Sequence, residues 1–241
     1  MSSAMPPIAL LAGGLATRLR PIALTLPKSM VMVADRPFIA HQLELIRRNG
    51  ITDVVICCGY LGEQIEQFVG NGEAFGCRVQ YSYDGTPLKG TGGALRKALP
   101  LLSDTFFVMY GDSYLLANFA AAYEAFRASG QDGLMTVYRN EDQWDTSNVE
   151  FVDGKILEYN KVDKTPAMRY IDYGLGIFRS DVFSGRSEDE VFDLATVYRE
   201  LLAHGQLAAF EVDGRFYEIG TASGLAETDA LLRSSAQPHL N

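Results

Sequence analysis

A glycine pair and two cations near the beginning of the chain have the types and spacing to bind a triphosphate. Residues 8–12 are apolar and predict a short buried strand, which Gly13 and Gly14 end. Glycine lets a ligand approach the main chain closely, so the amides here can face phosphate oxygens. The guanidinium of Arg18 can bind two phosphate oxygens, whereas Lys28 is a mobile point charge, so the two suit different parts of a reacting triphosphate. By pattern alone, an ordinary strand and turn followed by a surface arginine is an equally good interpretation.

Two widespread phosphate-binding signatures do not describe this segment. A Walker A loop needs glycine directly before its lysine and hydroxyl residue, but Lys28-Ser29 follows Pro27. The dinucleotide pattern G-x-G-x-x-G is not matched from Gly13 onward. A triphosphate bound here would therefore be held by a different kind of loop.

Two further charged residues follow predicted strands. Asp112 comes after the apolar run 106–109, and Lys161 follows the run 156–159. Ligands of open α/β sheets bind at the carboxyl ends of strands, so both positions suit a ligand site. Equally, Asp112 could cap a turn, and a single loop lysine such as Lys161 usually faces solvent.

Composition limits the class of protein. A chain of 241 residues with 47% hydrophobic content can bury one large α/β core. Its formal net charge of -9 argues against a general nucleic-acid binder, so an anionic ligand needs a local cationic pocket, with a metal ion. The three cysteines form neither a disulfide framework nor a C-x-x-C pair and are expected to be reduced core residues. Without a signal peptide or a membrane-length apolar run, we expect a cytoplasmic protein with no membrane partner.

Short apolar runs alternate with segments of helical period, which is typical of a doubly wound α/β sheet. Beyond residue 133 the pattern becomes richer in strands, and we expect a small β-rich extension that forms a lid or acceptor site. A hexapeptide repeat is lacking, so no C-terminal β-helix is expected. The predicted helices are 38–48, 62–69, 93–102, 118–128, 191–204 and 222–234. The predicted strands are 8–12, 53–58, 78–83, 105–110, 133–138, 149–152, 156–159, 171–178, 207–212 and 216–219.

The run from Leu10 reads L-L-A-G-G-L-A-T-R-L-R-P and leads to P-K. It resembles the signature of the sugar-1-phosphate nucleotidyltransferases, L-A-G-G-x-G-T-R-L-x-P followed by P-K-P. It departs at Ala16, where the family usually has glycine, and at Ser29, where it has proline. The resemblance implies one three-layer α/β/α Rossmann-like domain with a mixed, mainly parallel sheet, in which residues 1–115 mainly bind nucleotide and residues 116–241 mainly bind sugar phosphate.

A second glycine-rich stretch, Lys89 to Ala94, reads K-G-T-G-G-A and lies between a predicted strand and helix. Its small residues could let a flat base lie against the main chain, although a flexible loop is an alternative. The stretch resembles the family's G-T-G-G-A segment, which lines the base and ribose pocket. With the first signature, this implies catalytic roles for Arg18 and Lys28. The implied nucleotide contacts are Leu11, Ala12, Gly13, Gly14, Arg18, Lys28, Leu88, Gly90 and Thr91.

The resemblance also implies a Mg²⁺ cofactor. In the family, the aspartate of a Gly-Asp pair is a magnesium ligand, and Asp112 has that context. Mg²⁺ prefers one or two carboxylates together with phosphate oxygens, so a second carboxylate is wanted. Glu218 can supply it, because F-Y-E-I-G-T resembles the family's late D-I-G-T motif with glutamate in place of aspartate.

An acceptor site is implied in the same way. Asn160-Lys161 stands where relatives often have Glu-Lys, so Lys161 is expected to bind the sugar phosphate and Asn160 a sugar hydroxyl. Asn148 and Gly174, which follows Tyr173, complete the expected sugar pocket. The neutral Asn160 suggests an altered acceptor preference.

The implied reaction joins a nucleoside triphosphate to a sugar 1-phosphate and releases pyrophosphate. With the late motif Y-G-L-G-I-F, the chain looks most like the D-glycero-α-D-manno-heptose 1-phosphate guanylyltransferases, which implies GTP as donor and a role in capsule or other cell-surface polysaccharide synthesis. Mannose- and glucose-1-phosphate enzymes are alternatives. A non-catalytic sugar-nucleotide-binding regulatory protein is an alternative of another class, whereas a glycosyltransferase would be expected to show an Asp-x-Asp motif. The sequence does not distinguish a monomer from a homo-oligomer.

Overall fold

The computed structural model describes residues 5–14 and 25–236. Thirteen strands and six helices lie within these ranges. The helices are α1 (Phe38–Arg48), α2 (Gly62–Val69), α3 (Gly90–Ala98), α4 (Phe119–Ser129), α5 (Leu194–Ala203) and α6 (Ala222–Ala236). The strands are β1 (Ile8–Leu11), β2 (Met32–Val33), β3 (Arg36–Pro37), β4 (Asp53–Cys58), β5 (Arg78–Tyr83), β6 (Thr105–Tyr110), β7 (Ser113–Leu115), β8 (Gly133–Arg139), β9 (Val149–Val152), β10 (Lys155–Tyr159), β11 (Tyr170–Arg179), β12 (Leu207–Val212) and β13 (Phe216–Glu218).

Nine of the strands form one mixed sheet. Its main path runs in the order β10-β9-β11-β6-β1-β4-β5, and β8 lies between β11 and β12. Strand β1 is parallel to β4 and β6, whereas β11 is antiparallel to β6, β8 and β9. Within this sheet β10 and β11 run against the other seven strands, which confirms the mixed, mainly parallel architecture.

Helices cover both faces of the sheet because the strands are apolar on both sides. In β1, Ile8 and Leu10 pack on one face with α1, α2 and α4, whereas Ala9 and Leu11 pack on the other with α3 and α5. The continuous apolar run 54–58 in β4 is buried throughout, as expected for a strand inside a parallel sheet. The three layers predicted from the sequence are therefore confirmed.

A smaller subassembly lies beside the carboxyl end of this sheet. The two-stranded ribbon of β7 and β13 and the hairpin of β2 and β3 pack with α6 around a third apolar cluster. Val33, Phe38, Tyr114 and Ile219 are buried in it. This cluster fixes the segments that carry Lys28, Asp112 and Glu218 next to one another.

Most predicted elements are confirmed and differ only at their ends, whereas the short strands β2, β3 and β7 were not predicted. Helix α3 begins at Gly90 rather than at residue 93 and gives way to a 3-10 turn at Pro100. Helix α5 begins at Leu194 rather than at 191, because the Asp193 side chain accepts the Ala195 N–H at 2.8 Å and caps it. The strand-rich second half continues the central sheet.

The cysteines are free and buried, as predicted. In the described ranges no helix is long and apolar enough to cross a membrane.

Candidate active site

Two cavities meet where β1 and β6 end. The first, of about 330 Å³, contains every predicted nucleotide-binding residue that the structure describes. Arg18 and the departure at Ala16 lie outside the described residues. Further walls come from Asp84 and Tyr110, which the sequence analysis did not select. The lining residues are Leu11, Ala12, Gly13, Gly14, Lys28, Ser29, Cys57, Asp84, Leu88, Gly90, Thr91, Ala94, Tyr110, Gly111 and Asp112.

The two glycines after β1 have different surroundings. A Cβ on Gly13 would lie 3.1 Å from the main-chain nitrogen of Gly59, so Gly13 allows the loop after β4 to pack against the loop after β1. A Cβ on Gly14 would meet no described atom within 4 Å. Both glycines line the first cavity.

The glycines of the second glycine-rich stretch allow close packing against the segment before α5. A Cβ on Gly90, where φ is +72°, would lie 2.5 Å from the Phe192 carbonyl oxygen, and one on Gly93 would lie 2.6 Å from that of Glu190. A Cβ on Gly92 would overlap the Phe192 ring. The segment before α5 thus lies directly on the beginning of α3. Gly90 and Thr91 also line the first cavity, and their contact with a base stays a prediction.

Lys28 and Asp112 form an ion pair at the junction of the two cavities. The Lys28 Nζ lies 2.5 Å from Asp112 Oδ2, and the side chains are 17% and 36% exposed. Lys28 begins a 3-10 turn that Pro27 precedes, and Asp112 directly follows β6 and Gly111. Both residues line the first cavity, and Asp112 also lines the second. A phosphate between the cavities would therefore meet this pair. The departure at Ser29 is buried beside Lys28.

Glu218 lies beside Asp112 because β13 pairs with β7. Glu218 is opposite Ser113 in this ribbon, and the Ile219 N–H donates to the Asp112 carbonyl at 2.9 Å. The Glu218 carboxylate accepts from Thr221 Oγ1 at 2.7 Å and from the Gly220 N–H. A side chain at Gly220 would overlap both the Glu218 carboxylate and Lys28 Nζ, so the cation and the carboxylate converge there.

The pair of carboxylates fits a magnesium ion that takes its other ligands from phosphates and water. Asp112 and Glu218 both line the second cavity, so both are open to a ligand. Among the described residues no group of three or more His, Cys, Asp or Glu side chains is arranged to hold a metal. A divalent ion here would therefore depend on the substrate phosphates for much of its coordination.

The second cavity, of about 500 Å³, is more polar and contains Asn148, Lys161 and Gly174 from the predicted acceptor site. Lys161 Nζ lies 5.4 Å from the ring centre of Tyr110 and 6.0 Å from that of Tyr159. The lining residues are Tyr110, Asp112, Ser113, Trp144, Asp145, Thr146, Asn148, Lys161, Lys164, Ile171, Asp172, Tyr173, Gly174, Phe216, Glu218, Thr221 and Ser223.

Two of the predicted acceptor residues are engaged in local structure. Asn160 does not line the cavity, because its Oδ1 accepts the main-chain N–H groups of Val162 and Asp163 at 3.0 Å each. It therefore shapes the loop that presents Lys161, and its expected contact with a sugar hydroxyl is not supported by this geometry. Asn148 lines the cavity while its Oδ1 accepts the Asp172 N–H at 2.9 Å.

Asp172 is a candidate that the sequence analysis missed. It lies within the largely buried strand β11, beside Lys161, and accepts the Tyr159 hydroxyl at 3.3 Å and the Gly174 N–H at 3.1 Å. Burial raises its pKa, whereas Lys161 and these two donors oppose the rise. A lone aspartate in an apolar run was the available signal in the sequence.

Asp84 is the second missed candidate. It directly follows β5, is 5% exposed and faces the first cavity close to Gly13. Its Oδ1 is buried with no hydrogen-bond partner among the described residues. Burial raises its pKa above the ordinary value, although a main-chain hydrogen bond from Lys89 and the charges of Lys97 and Lys89 lower it. Its position at the end of a predicted strand is the same signal that selected Asp112.

The chain is similar to several known proteins in sequence and in structure. The N-acetylmuramate alpha-1-phosphate uridylyltransferase of Neisseria meningitidis serogroup B is 29% identical over 92% of this chain and 96% of its own length. The mannose-1-phosphate guanyltransferase of Hypocrea jecorina is 28% identical over 94% of this chain, which spans 64% of that protein. A Bacillus anthracis crystal structure, provisionally named a glucose-1-phosphate thymidylyltransferase and solved with sucrose, has a TM-score of 0.84 at 26% identity, covering 95% of this chain and 96% of its own.

The sequence also matches the profile of a family described as nucleotidyl transferase over residues 8–235. This range includes every residue that lines the two cavities. The chain therefore belongs to the nucleotidyl transferase family.

Proposed function

We propose that the chain is a cytoplasmic enzyme that joins a nucleoside triphosphate to a sugar 1-phosphate, giving a nucleoside diphosphate sugar and pyrophosphate. The observation that carries this proposal is the meeting of two cavities at Asp112, with Lys28 in one and Lys161 in the other. The named relatives use sugar 1-phosphates as substrates. The first cavity is lined by residues 11–112 and the second by residues 110–223, which supports a division into a nucleotide half and an acceptor half.

The reaction needs charge stabilisation more than proton transfer. An oxygen of the sugar phosphate forms a bond to the α-phosphorus, and the bond from that phosphorus to pyrophosphate breaks. The attacking oxygen is already an anion, so no general base is required, and the difficulty lies in bringing two anions together. Lys28 stabilises the α-phosphate and leaving group, Lys161 binds the incoming phosphate, and Arg18 binds the β- and γ-phosphates.

Asp112 and Glu218 are the proposed holders of a Mg²⁺ ion. When bound, the ion supplies positive charge to phosphate oxygens. In the structure Lys28 already neutralises Asp112, and Thr221 and Gly220 orient the Glu218 carboxylate. These contacts hold both carboxylates in the wall of the second cavity.

GTP is the proposed donor, and Asp84 supports it. The Watson–Crick edge of guanine presents N1–H and N2–H₂ as adjacent donors, whereas uracil presents a single N–H between two carbonyls. A buried carboxylate with an unused oxygen suits the guanine edge, because an unsatisfied buried acceptor is costly. The proposed acceptor is D-glycero-α-D-manno-heptose 1-phosphate, supported by the resemblance of the motif Y-G-L-G-I-F at residues 173–178. The product would serve cell-surface polysaccharide synthesis.

Uridylyl transfer is the second candidate. It is favoured by the Neisseria relative, which matches this chain over nearly its whole length and is named for UTP chemistry on N-acetylmuramate 1-phosphate. The two candidates differ in both the base and the acceptor, so a crossed panel of substrates separates them.

The test is a pyrophosphate-release screen of GTP, UTP, CTP, dTTP and ATP, each against the 1-phosphates of heptose, mannose, glucose and N-acetylmuramate, with Mg²⁺. We expect release that requires both substrates and is fastest with GTP and the heptose. Asp112→Asn is the matched control for the site. Silence across the panel, with nucleotide binding intact, would instead identify a sugar-nucleotide-binding regulatory protein.

A further inference from the structure

A loop with no role in the proposed reaction forms one wall of the second cavity. Residues 140–148 connect β8 to β9, and Trp144, Asp145 and Thr146 of this loop line the cavity beside Asn148. Trp144 is the only tryptophan of the chain, and it is 42% exposed although it is a large aromatic residue.

The loop is held in shape from within. Its first residue, Asn140, is fully buried and donates through Nδ2 to the Asp145 carbonyl at 2.6 Å and to Ser147 Oγ at 3.1 Å. Its Oδ1 accepts the Trp144 N–H at 3.2 Å. Asp142 Oδ1 accepts the Ser147 N–H at 2.7 Å. The indole is therefore presented by a braced loop rather than by a flexible one.

Arg215 holds this loop against the strand that carries Glu218. Its guanidinium carbon lies 3.2 Å from the centre of the Trp144 ring and 4.3 Å from that of Tyr217, so the cation lies between two aromatic faces. Its Nη2 forms an ion pair with Glu227 of α6 at 2.5 Å, and its Nε donates to the Phe216 carbonyl at 3.2 Å. Arg215 thus links three parts of the fold at the edge of the second cavity.

We propose that Trp144 forms a stacking surface for the sugar ring of the acceptor, and that Arg215 is a positioning residue that orients the indole. This inference rests on the proposed function. Arg215 covers one face of the ring, and the remainder is exposed beside the cavity that contains Lys161. With the phosphate on Lys161, the sugar ring has to occupy the rest of that cavity. Sugar C–H groups carry partial positive charge and pack on the electron-rich face of an aromatic ring.

The first arm of the test uses Trp144 as its own reporter. Its fluorescence is titrated with each of the four sugar 1-phosphates of the screen, and separately with inorganic phosphate and with free mannose. We expect a saturable change with at least one sugar 1-phosphate and none with inorganic phosphate at the same concentration. Because the chain has a single tryptophan, the signal reports this position alone.

The second arm compares variants kinetically. Trp144→Leu should raise KM for the sugar 1-phosphate about tenfold and leave KM for the nucleotide unchanged, because only the stacking surface is lost. Trp144→Phe should recover most of the loss. Arg215→Lys keeps the charge beside Glu227 but lacks the planar group, so it should raise the same KM by a smaller factor. Phe68→Leu on α2 is the control, since Phe68 is also 42% exposed and lines neither cavity.

The outcomes separate this inference from the proposed function. Suppose that the enzyme is active, that its tryptophan fluorescence changes with none of the four sugar 1-phosphates, and that Trp144→Leu keeps the acceptor KM. This result would overturn the stacking role and leave the proposed function standing. A saturable signal without pyrophosphate release would overturn the function and support the stacking role. Equal increases in both KM values for a folded Trp144→Leu protein would show a purely structural role and overturn the inference. Absence of both signal and release would overturn both proposals.

Discussion

Replacing Asp84 by asparagine should weaken the preference for guanine while leaving the fold intact. The substitution keeps size and shape but removes the negative charge from a side chain that is 5% exposed. A hydrogen bond to a charged group contributes about 1.5–3 kcal/mol, which corresponds to a loss of roughly 10- to 150-fold in kcat/KM for GTP. UTP, with a single N–H on its pairing edge, should lose less. The measurement is kcat/KM for GTP and for UTP in the wild type and in Asp84→Asn, with one fixed acceptor.

The same substitution should stabilise the folded protein at neutral pH. Burial raises the pKa of Asp84 above its ordinary value of 3.8, so ionisation of this carboxyl costs folding free energy. The cost is absent below the unfolded pKa, grows as pH rises through the window up to the folded pKa, and is complete above it. Asp84→Asn removes it, so the gain in Tm over wild type should be larger at pH 7 than at pH 3.

Asp53→Asn is a suitable control, because Asp53 is an exposed partner of Arg78 and lines neither cavity. It should change neither the GTP to UTP ratio nor turnover. If Asp84→Asn leaves the ratio of kcat/KM for GTP and UTP at its wild-type value, the proposal that Asp84 recognises the base is wrong. A lower Tm at pH 7 would contradict the electrostatic argument independently.

Three further outcomes follow from the geometry. Lys28→Met and Asp112→Asn should each lower kcat about 10²- to 10³-fold while circular dichroism stays native, because Lys28→Met removes a cation from the reacting phosphates and Asp112→Asn weakens a proposed Mg²⁺ ligand; wild-type turnover in either would contradict that role. Glu218→Gln should raise the Mg²⁺ concentration needed for half-maximal pyrophosphate release, and an unchanged magnesium titration would remove Glu218 from the metal site. Gly92→Ala should lower the free energy of unfolding by about 1–3 kcal/mol because its methyl group would overlap Phe192. Gly185→Ala, with open space at its Cβ, is the control by urea denaturation.

The sequence predicted the layers of the fold because their signals are local. The run in β4 is apolar at every position from 54 to 58, and α1 follows its helical period between Pro37 and Asn49, so both ranges are confirmed residue by residue. The boundary of α3 was missed because Gly90 and Gly92 are poor helix formers. Glycine is needed at both positions because of close contact with Phe192, about a hundred residues later, and no local pattern reveals that contact.

The candidate site was predictable where a charged residue lies just after a predicted strand. This applies to Asp112, and the same rule would have found Asp84 had it been used for every strand. The clamp of Arg215 on Trp144 was not predictable, because it joins two loops 71 positions apart that only the complete sheet brings together. For Asn160, the motif predicted a place in the acceptor site. It could not predict that Asn160 Oδ1 accepts hydrogen bonds from the main-chain N–H groups that follow.

The most direct test of the two-cavity account is to quantify pyrophosphate and nucleotide sugar in one reaction mixture, by enzyme-coupled assay and mass spectrometry. The account predicts equal amounts of the two products, each requiring both substrates and each lost in Lys161→Met at low acceptor concentration. Pyrophosphate formed without sugar phosphate, or a folded protein that binds nucleotide and sugar phosphate yet forms no nucleotide sugar, would contradict it.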